Sequence, residues 1–417
     1  MRRALLAFVC TAAAAAVFAT GALADPHVVY GVQDDAWLTY GSGTLDTRLA
    51  TLDRLGVDVY RYTLHWDQLE PRRGTYRWQN ADAILRGLQA HGIQPVVTLY
   101  GSPRWANGGR APNFAPRSAA TFAAFARAAA RRYPFVRYWT IWNEPNQRIS
   151  LNPSSPRVYV RTLLNPAYAA IHAALGTRAK VAGGMTAPRG NTGGVAPLKW
   201  VQAMRAAHAR LDAYAHHPYP THPSTESPSS GACRSCGDIT LANLPRLIAA
   251  VGKAFGAKPI WLTEYGYQSN PPDRLLGVPL ATQARYVSEA AQRAYALPRV
   301  QMLIQFLVRD EPQVARWQSG LFDTHGVAKP AFRAYGLPLV QLGRSGSRAT
   351  LWGQVRAGRG AQTYRLRIVA RGRTLASVKT GRTTARGFLR LRVTAPRGSL
   401  VTLCTASGRC GWPVLLR

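Results

Sequence analysis

From Val28 to about Tyr335, short apolar runs rich in Val, Ile, Tyr and Trp alternate with longer segments whose apolar positions recur at helical spacing. Eight runs read as strands, at residues 28–32, 57–62, 95–100, 136–142, 179–183, 213–219, 259–264 and 300–307. Helices are predicted between them at 46–55 and 81–91, each followed by a glycine (Gly56, Gly92) suited to a left-handed C-terminal cap. Further helices are predicted at 119–132, 197–207, 241–255 and 282–296. This alternation argues for a parallel sheet with helical crossovers, and eight strands close an α/β barrel of the (β/α)8 TIM type. A doubly wound open sheet is the alternative, but no glycine-rich phosphate loop follows the first strand.

Beyond Gly336 the pattern changes to short alternating runs at 350–355, 363–369, 374–378, 388–393 and 400–404, separated by Gly, Arg and Thr. These predict a small antiparallel β-sandwich, joined through a linker at 343–347. The expected organisation is a leader at 1–24, a barrel at 25–340 and a basic accessory domain at 341–417.

The leader has two arginines (Arg2, Arg3), an alanine-rich apolar run and small residues up to Ala24, which together predict a secretory signal cleaved after Ala24. An uncleaved anchor is the competing reading, since the run is near the lower length for a membrane span. Cys10 falls inside the leader. The other four cysteines form two close pairs, Cys233 with Cys236 and Cys404 with Cys410, and an oxidising compartment predicts two local disulfides. A zinc site would need a second ligand pair near Cys233 and Cys236, and none is present.

Net charge is +34, and its distribution is uneven. After Asp323 no acidic residue remains, while residues 344–417 carry fifteen arginines and Lys379. Such a module would be drawn to an anionic polymer or cell surface, unless the arginines only solvate the domain.

Two strand ends carry candidate chemistry. The fourth runs Trp139-Thr140-Ile141-Trp142-Asn143-Glu144-Pro145-Asn146, and residues just past barrel strands form the active face. Flanking tryptophans would desolvate Glu144 and help it keep a proton, as a general acid requires. The seventh ends Ile260-Trp261-Leu262-Thr263-Glu264, where period-two alternation puts Ile260, Leu262 and Glu264 on one face. An apolar column of this kind facing the interior would aim Glu264 into the mouth. Ala213, Ala215, His217 and Tyr219 share one parity on the sixth strand, so Tyr219 could bond Glu264 and His217 could bond Glu144 or substrate hydroxyls. Arg61, above Val57 and Val59, would lower the pKa of a nearby Glu264 and make it the nucleophile. His65, Asp34 and Asp35 are candidate substrate contacts. His216, on the opposite strand face, is not expected to be a ligand. Trp66, Trp105 and Trp317 suit core packing or sugar stacking.

With Asn143-Glu144-Pro145, His217-Pro218-Tyr219, Thr263-Glu264-Tyr265-Gly266, Arg61 with Trp66 and Glu70-Pro71, and the stretch from Trp317 to Phe322 leading to Lys329-Pro330, the chain resembles the clan A retaining glycoside hydrolases. The resemblance is to family 39-like and family 5-like barrels of the cellulase and xylosidase type, and it spans roughly residues 30–335. It implies double displacement with Glu144 as acid/base and Glu264 as nucleophile, and Asn143 holding the sugar 2-hydroxyl. No cofactor or metal, a carbohydrate partner, no specific nucleic acid and a monomer are expected. Two departures affect the subsites. Tyr100-Gly101-Ser102-Pro103 stands where many members place a histidine, and Gln305-Phe306-Leu307-Val308 lacks a tryptophan platform, for which Trp105, Trp142 and Trp317 are candidates. A non-catalytic carbohydrate-binding barrel and a basic adhesion protein are the rival functions.

Overall fold

A computed structural model describes residues 27–417 apart from 191, 192, 359 and 373–375. The leader at 1–24, with Cys10, lies outside the described residues. No helix among those described is long and apolar enough to cross a membrane.

Eight parallel strands close a barrel: β1 (Val29–Gln33), β2 (Val59–His65), β3 (Gln94–Tyr100), β4 (Tyr138–Ile141), β5 (Lys180–Thr186), β6 (Ala213–His216), β7 (Ile260–Tyr265) and β8 (Val300–Phe306). All eight expected runs are strands of this barrel, with β8 pairing back onto β1. Side chains alternate between two cores. Tyr60, Val97, Trp139, Ile260 and Leu262 face the surrounding helices, while Val59, Val96, Ala182, Ala213, Ala215, Trp261 and Ile304 fill the interior. Small residues on β5 and β6 leave room inside for Trp261, whose ring meets Tyr138 edge-on at 5.3 Å.

The helices follow their local signals. Leu45–Leu55 starts where the Thr44 hydroxyl accepts from the Thr47 amide at 3.2 Å, and ends at Gly56 with φ 69°. Gly56 also allows a close approach, because a Cβ there would lie 2.4 Å from the Arg356 carbonyl carbon. A helix at Asn165–Leu175 escaped the sequence reading. It follows a π-helical stretch, Tyr159–Leu164, whose wider turn breaks the 3.6-residue phase of the apolar pattern.

The C-terminal region is a two-sheet antiparallel sandwich. Its strands are β9 (Leu339–Ser345), β10 (Arg348–Gln354), β11 (Thr363–Val369), β12 (Ala376–Arg382), β13 (Phe388–Thr394), β14 (Leu400–Thr405) and β15 (Val414–Leu415). One sheet has the order β9-β10-β13 and the other β12-β11-β14-β15, with Leu351, Leu366, Val393, Val401 and Leu403 between them. The expected linker at 343–347 is not a linker: β9 and β10 pair as a hairpin across it. A register shift between Gln341 and Gly343 interrupts the alternation there, which hid the strand.

The sandwich packs on the barrel. Trp352 and Phe388 meet Tyr295 at 5.5 and 4.8 Å, and the Arg356 guanidinium lies 3.9 Å from the Tyr30 ring centre and 4.3 Å from that of Tyr335. Cys404 and Cys410 form the expected disulfide. The second expected bridge is corrected: Cys233 and Cys236 are free thiols. Their turn points the Cys236 amide at the Cys233 sulfur, 3.0 Å away, so the sulfur serves as a hydrogen-bond acceptor.

Candidate active site

Glu264 reaches the mouth by a different route from the expected one. Ile260 and Leu262 face the helices, and the interior column of β7 is Trp261 and Thr263. Between Leu303↔Leu262 and Gln305↔Tyr265 the register slips, so Thr263 and Glu264 together oppose the single residue Ile304. This bulge adds one residue and re-aims the carboxylate inward. The period-two extrapolation fails because it assumes an unbroken ladder up to the strand end.

On β2, Arg61 follows Val59 on the interior face and is almost wholly buried, at 1% exposure. Its guanidinium is enclosed by acceptors: Thr98 Oγ1 at 2.8 Å, Asn143 Oδ1 at 2.7 Å, Gln33 Oε1 and Glu264 Oε1. Gln33 and Thr98 were not foreseen as site residues. Their signal was present, since each is a polar residue near the end of a neighbouring strand. On the other side of Glu264, the Tyr219 hydroxyl donates to Oε2 at 3.1 Å. Burial alone would raise the Glu264 pKa, but the His217 and Arg61 charges and the Arg61 and Tyr219 hydrogen bonds outweigh it and hold the carboxyl below its usual range. Burial and the negative charges of Glu264 and Glu144 push the Tyr219 phenol well above its usual value, so it remains a donor.

Glu144 stands across from Glu264 on the loop after β4. Its Oε1 lies 3.0 Å from His217 Nδ1, and that nitrogen is 3.5 Å from Glu264 Oε2. Among the described residues His217 Nε2 is buried without a hydrogen-bond partner, and Nδ1 is the ring nitrogen that faces both carboxylates. The backbone carrying Glu144 is strained, with φ 68° at Trp142 and 41° at Glu144, both non-glycine residues. Asn146 holds the loop in place. Its side chain accepts from Ala187 N at 2.8 Å and donates to the Arg189 and Val195 carbonyls at 3.1 Å each. Asn146 was quoted in the motif without a role.

Other expected contacts separate into wall and core. Trp317 is 38% exposed, with its ring 4.9 Å from Tyr219 and 5.5 Å from Phe306, and the three form an aromatic wall beside Glu264. Phe306 occupies the β8 position where no tryptophan was found. Of the two roles open to Trp66, core packing and sugar stacking, its position fits the first: it is fully buried, stacked 5.4 Å from Phe125, and its Nε1 donates to Glu70 at 2.6 Å. Trp142 is likewise buried, with Nε1 donating to the Ser150 carbonyl at 2.8 Å. Both sit on outward-facing positions, where an aromatic residue fills the space between strand and helix. Trp105 is half-buried, packed edge-on against Trp66.

Tyr100, which replaces the histidine of the resemblance, lies between His65 and Trp142, and burial with the Asp67 and Glu144 charges pushes its phenol up to about 12. Asp34 is an N-terminal helix cap that also accepts from the Val308 and Arg309 amides, and burial raises its carboxyl to about 6. Asp35 accepts from the Thr63 amide at 3.2 Å. His216 faces away from the mouth, as expected. It bonds Thr186 and the Ile239 carbonyl, and burial pushes its pKa down to about 3.

Glu144, His217 and Glu264 each offer an atom within 4.8 Å of the others, a spacing that a metal could span. Both Glu264 oxygens already accept hydrogen bonds, and a cation there would adjoin the Arg61 guanidinium. The donor set is better described as two carboxylates balanced by one arginine.

Fold and site together define a (β/α)8 barrel with paired carboxylates at its C-terminal mouth. Solved structures that share the fold include glycoside hydrolases of families 39 and 5. A family 39 glycoside hydrolase from the gut symbiont Bacteroides cellulosilyticus WH2 matches with TM-score 0.60 and 18% identity, over 88% of this chain and 79% of that one. A family 39 enzyme from Xanthomonas axonopodis pv. citri gives 0.58 and 14%, over 92% and 94%. A variant of a family 5 enzyme from Streptomyces cattleya, in complex with Manβ1-4GlcNAc, gives 0.56 and 19%, over 74% and 79%. At these identities the likeness is one of fold. No protein-family model and no curated protein sequence matches the chain.

Proposed function

We propose that this chain is a secreted, retaining glycoside hydrolase. The observation that carries the reading is an asymmetric carboxylate pair. Glu264 is held as an anion by Arg61 and Tyr219, and Glu144 faces it with only His217 between. One oxygen of each lies within 4.8 Å of the other. That favours the roughly 5–5.5 Å carboxyl spacing of retaining enzymes over the roughly 6.5–9.5 Å that leaves room for a water in inverting ones.

Glu264 would attack the anomeric carbon as the glycosidic C–O bond breaks and Glu144 gives its proton to the leaving oxygen. Glu144 would then take a proton from water, whose oxygen displaces Glu264. Asn143 spends its carbonyl oxygen on Arg61, which leaves its amide NH2 for the sugar 2-hydroxyl. Trp317 would stack on the sugar, and the leader at 1–24 would direct export. The two carboxylates suffice without a metal.

Aryl glycosides and a 2-deoxy-2-fluoro glycoside test the proposal. Turnover should fall by on the order of 10⁴-fold in Glu264→Gln and in Glu144→Gln with activated leaving groups excluded, and the fluorosugar should label the peptide containing Glu264. Binding of glycans without turnover across a panel of sugars would instead identify a non-catalytic carbohydrate-binding barrel.

A further inference from the structure

We infer that the outer face of the β12-β11-β14-β15 sheet is a docking surface for a linear, carboxylated polysaccharide. The choice of a glycan rests on the glycosidase reading above; the anionic character of the partner rests on the sandwich itself.

β11 alternates strictly. Tyr364, Leu366 and Ile368 enter the sandwich core, so Arg365 and Arg367 point outward and are exposed. Alternate residues on one strand face are about 7 Å apart. The register sets Thr380 and Val378 on β12 beside Arg365 and Arg367, and Thr402 on β14 beside Arg367. Arg382 closes the row next to Thr363. No acidic residue follows Asp323, so the sandwich has no Asp or Glu side chain to neutralise these guanidinium groups.

The surroundings select among anions. Guanidinium forks pair bidentately with carboxylates, and the threonine hydroxyls between them suit sugar hydroxyls. The positions that flank Arg365 and Arg367 on this face are Thr380, Val378, Cys404 and Thr402, with no aromatic ring among them, so the row of stacking rings used for single-stranded nucleic acid is missing from them. The face is also a sheet, unlike the amphipathic helix that inserts into a lipid surface.

The test uses the full chain carrying Glu264→Gln, so that binding is read without cleavage, and polygalacturonate as probe. Its fully methyl-esterified form, duplex DNA and phosphatidylserine vesicles serve as comparisons. Polygalacturonate should bind at low salt and weaken steeply as salt rises, and Arg365→Gln with Arg367→Gln should cost roughly tenfold in affinity. The same pair placed in the otherwise unchanged chain should leave aryl glycoside turnover intact. The inference is overturned by equal binding of the esterified polymer, by DNA or vesicles binding as well as polygalacturonate, or by the double variant binding like its parent. If aryl glycosides are never cleaved but charge-selective glycan binding survives, the catalytic reading fails while this surface stands.

Discussion

Two buried arginines, one at each end of the barrel, show how differently the same side chain can be used. At the mouth, Arg61 is surrounded by oxygen acceptors and spends its hydrogen bonds on Gln33, Thr98, Asn143 and Glu264. At the floor, Arg356 lies between the faces of Tyr30 and Tyr335 and donates to Gln354 Oε1 at 3.1 Å. The first arrangement fixes the charge and direction of a carboxylate. The second joins two modules through π faces, which are tolerant of small shifts. Arg61 should therefore govern chemistry, and Arg356 cohesion.

The largest expected effect comes from Arg61→Lys. A point ammonium cannot reach four acceptors at once, and kcat should fall about a hundred- to a thousandfold, measured at a temperature where the variant remains folded. A loss confined to thermal stability would erase the contrast. Next is Tyr219→Phe, which removes one donor from Glu264 and should cost about tenfold in kcat. Because Tyr219 helps hold the Glu264 carboxyl low, its removal raises that pKa. The acid limb of the kcat/KM profile should then move to higher pH, and an unmoved limb would deny Tyr219 its part in tuning Glu264.

Arg356→Leu should lower folding stability by about 1–3 kcal/mol while kcat/KM stays at the parent value, which chemical denaturation and steady-state kinetics read separately. The smallest effect belongs to His91, clamped by Asp53 at 2.6 Å and Asp46 at 3.2 Å on the barrel exterior. The Asp53 and Asp46 hydrogen bonds raise its pKa above 6.5 despite partial burial. Its contribution is complete below the unfolded value and is lost as pH rises through the higher folded one. His91→Gln should flatten that part of the stability profile by less than about 1 kcal/mol. A larger change there than at Arg356 would show that the histidine clamp, and not the contact between modules, holds more of the stability at the floor.

Much of this was legible in the sequence, because barrel strands and glycine-capped helices write local periodicities. The positions of Glu144, His217, Tyr219 and Arg61 followed from strand ends and parity, and the structure brings these four together with Glu264. What escaped notice lay where a period was interrupted. The π-helical turn hid the Asn165–Leu175 helix, the shift at Gln341 hid β9, and the slip on β7 gave Glu264 an expected neighbour set, Ile260 and Leu262, that faces the other way. The sequence left Trp66 open between core and sugar contact and made Trp142 a platform candidate, because an indole has the same composition whether it lines a groove or fills a core. Only their burial separates them from Trp317.

The one-residue slip opposite Ile304 also separates two kinds of inheritance in this wall. Below it, Ile260 and Leu262 can exchange for other aliphatic residues of similar size without turning the carboxylate above them. Deleting Thr263 would restore a regular ladder and drop the carboxylate to the interior position Thr263 now holds, one residue below the mouth, so lineages of this barrel should drift freely in wall composition yet keep the length of that short segment unchanged.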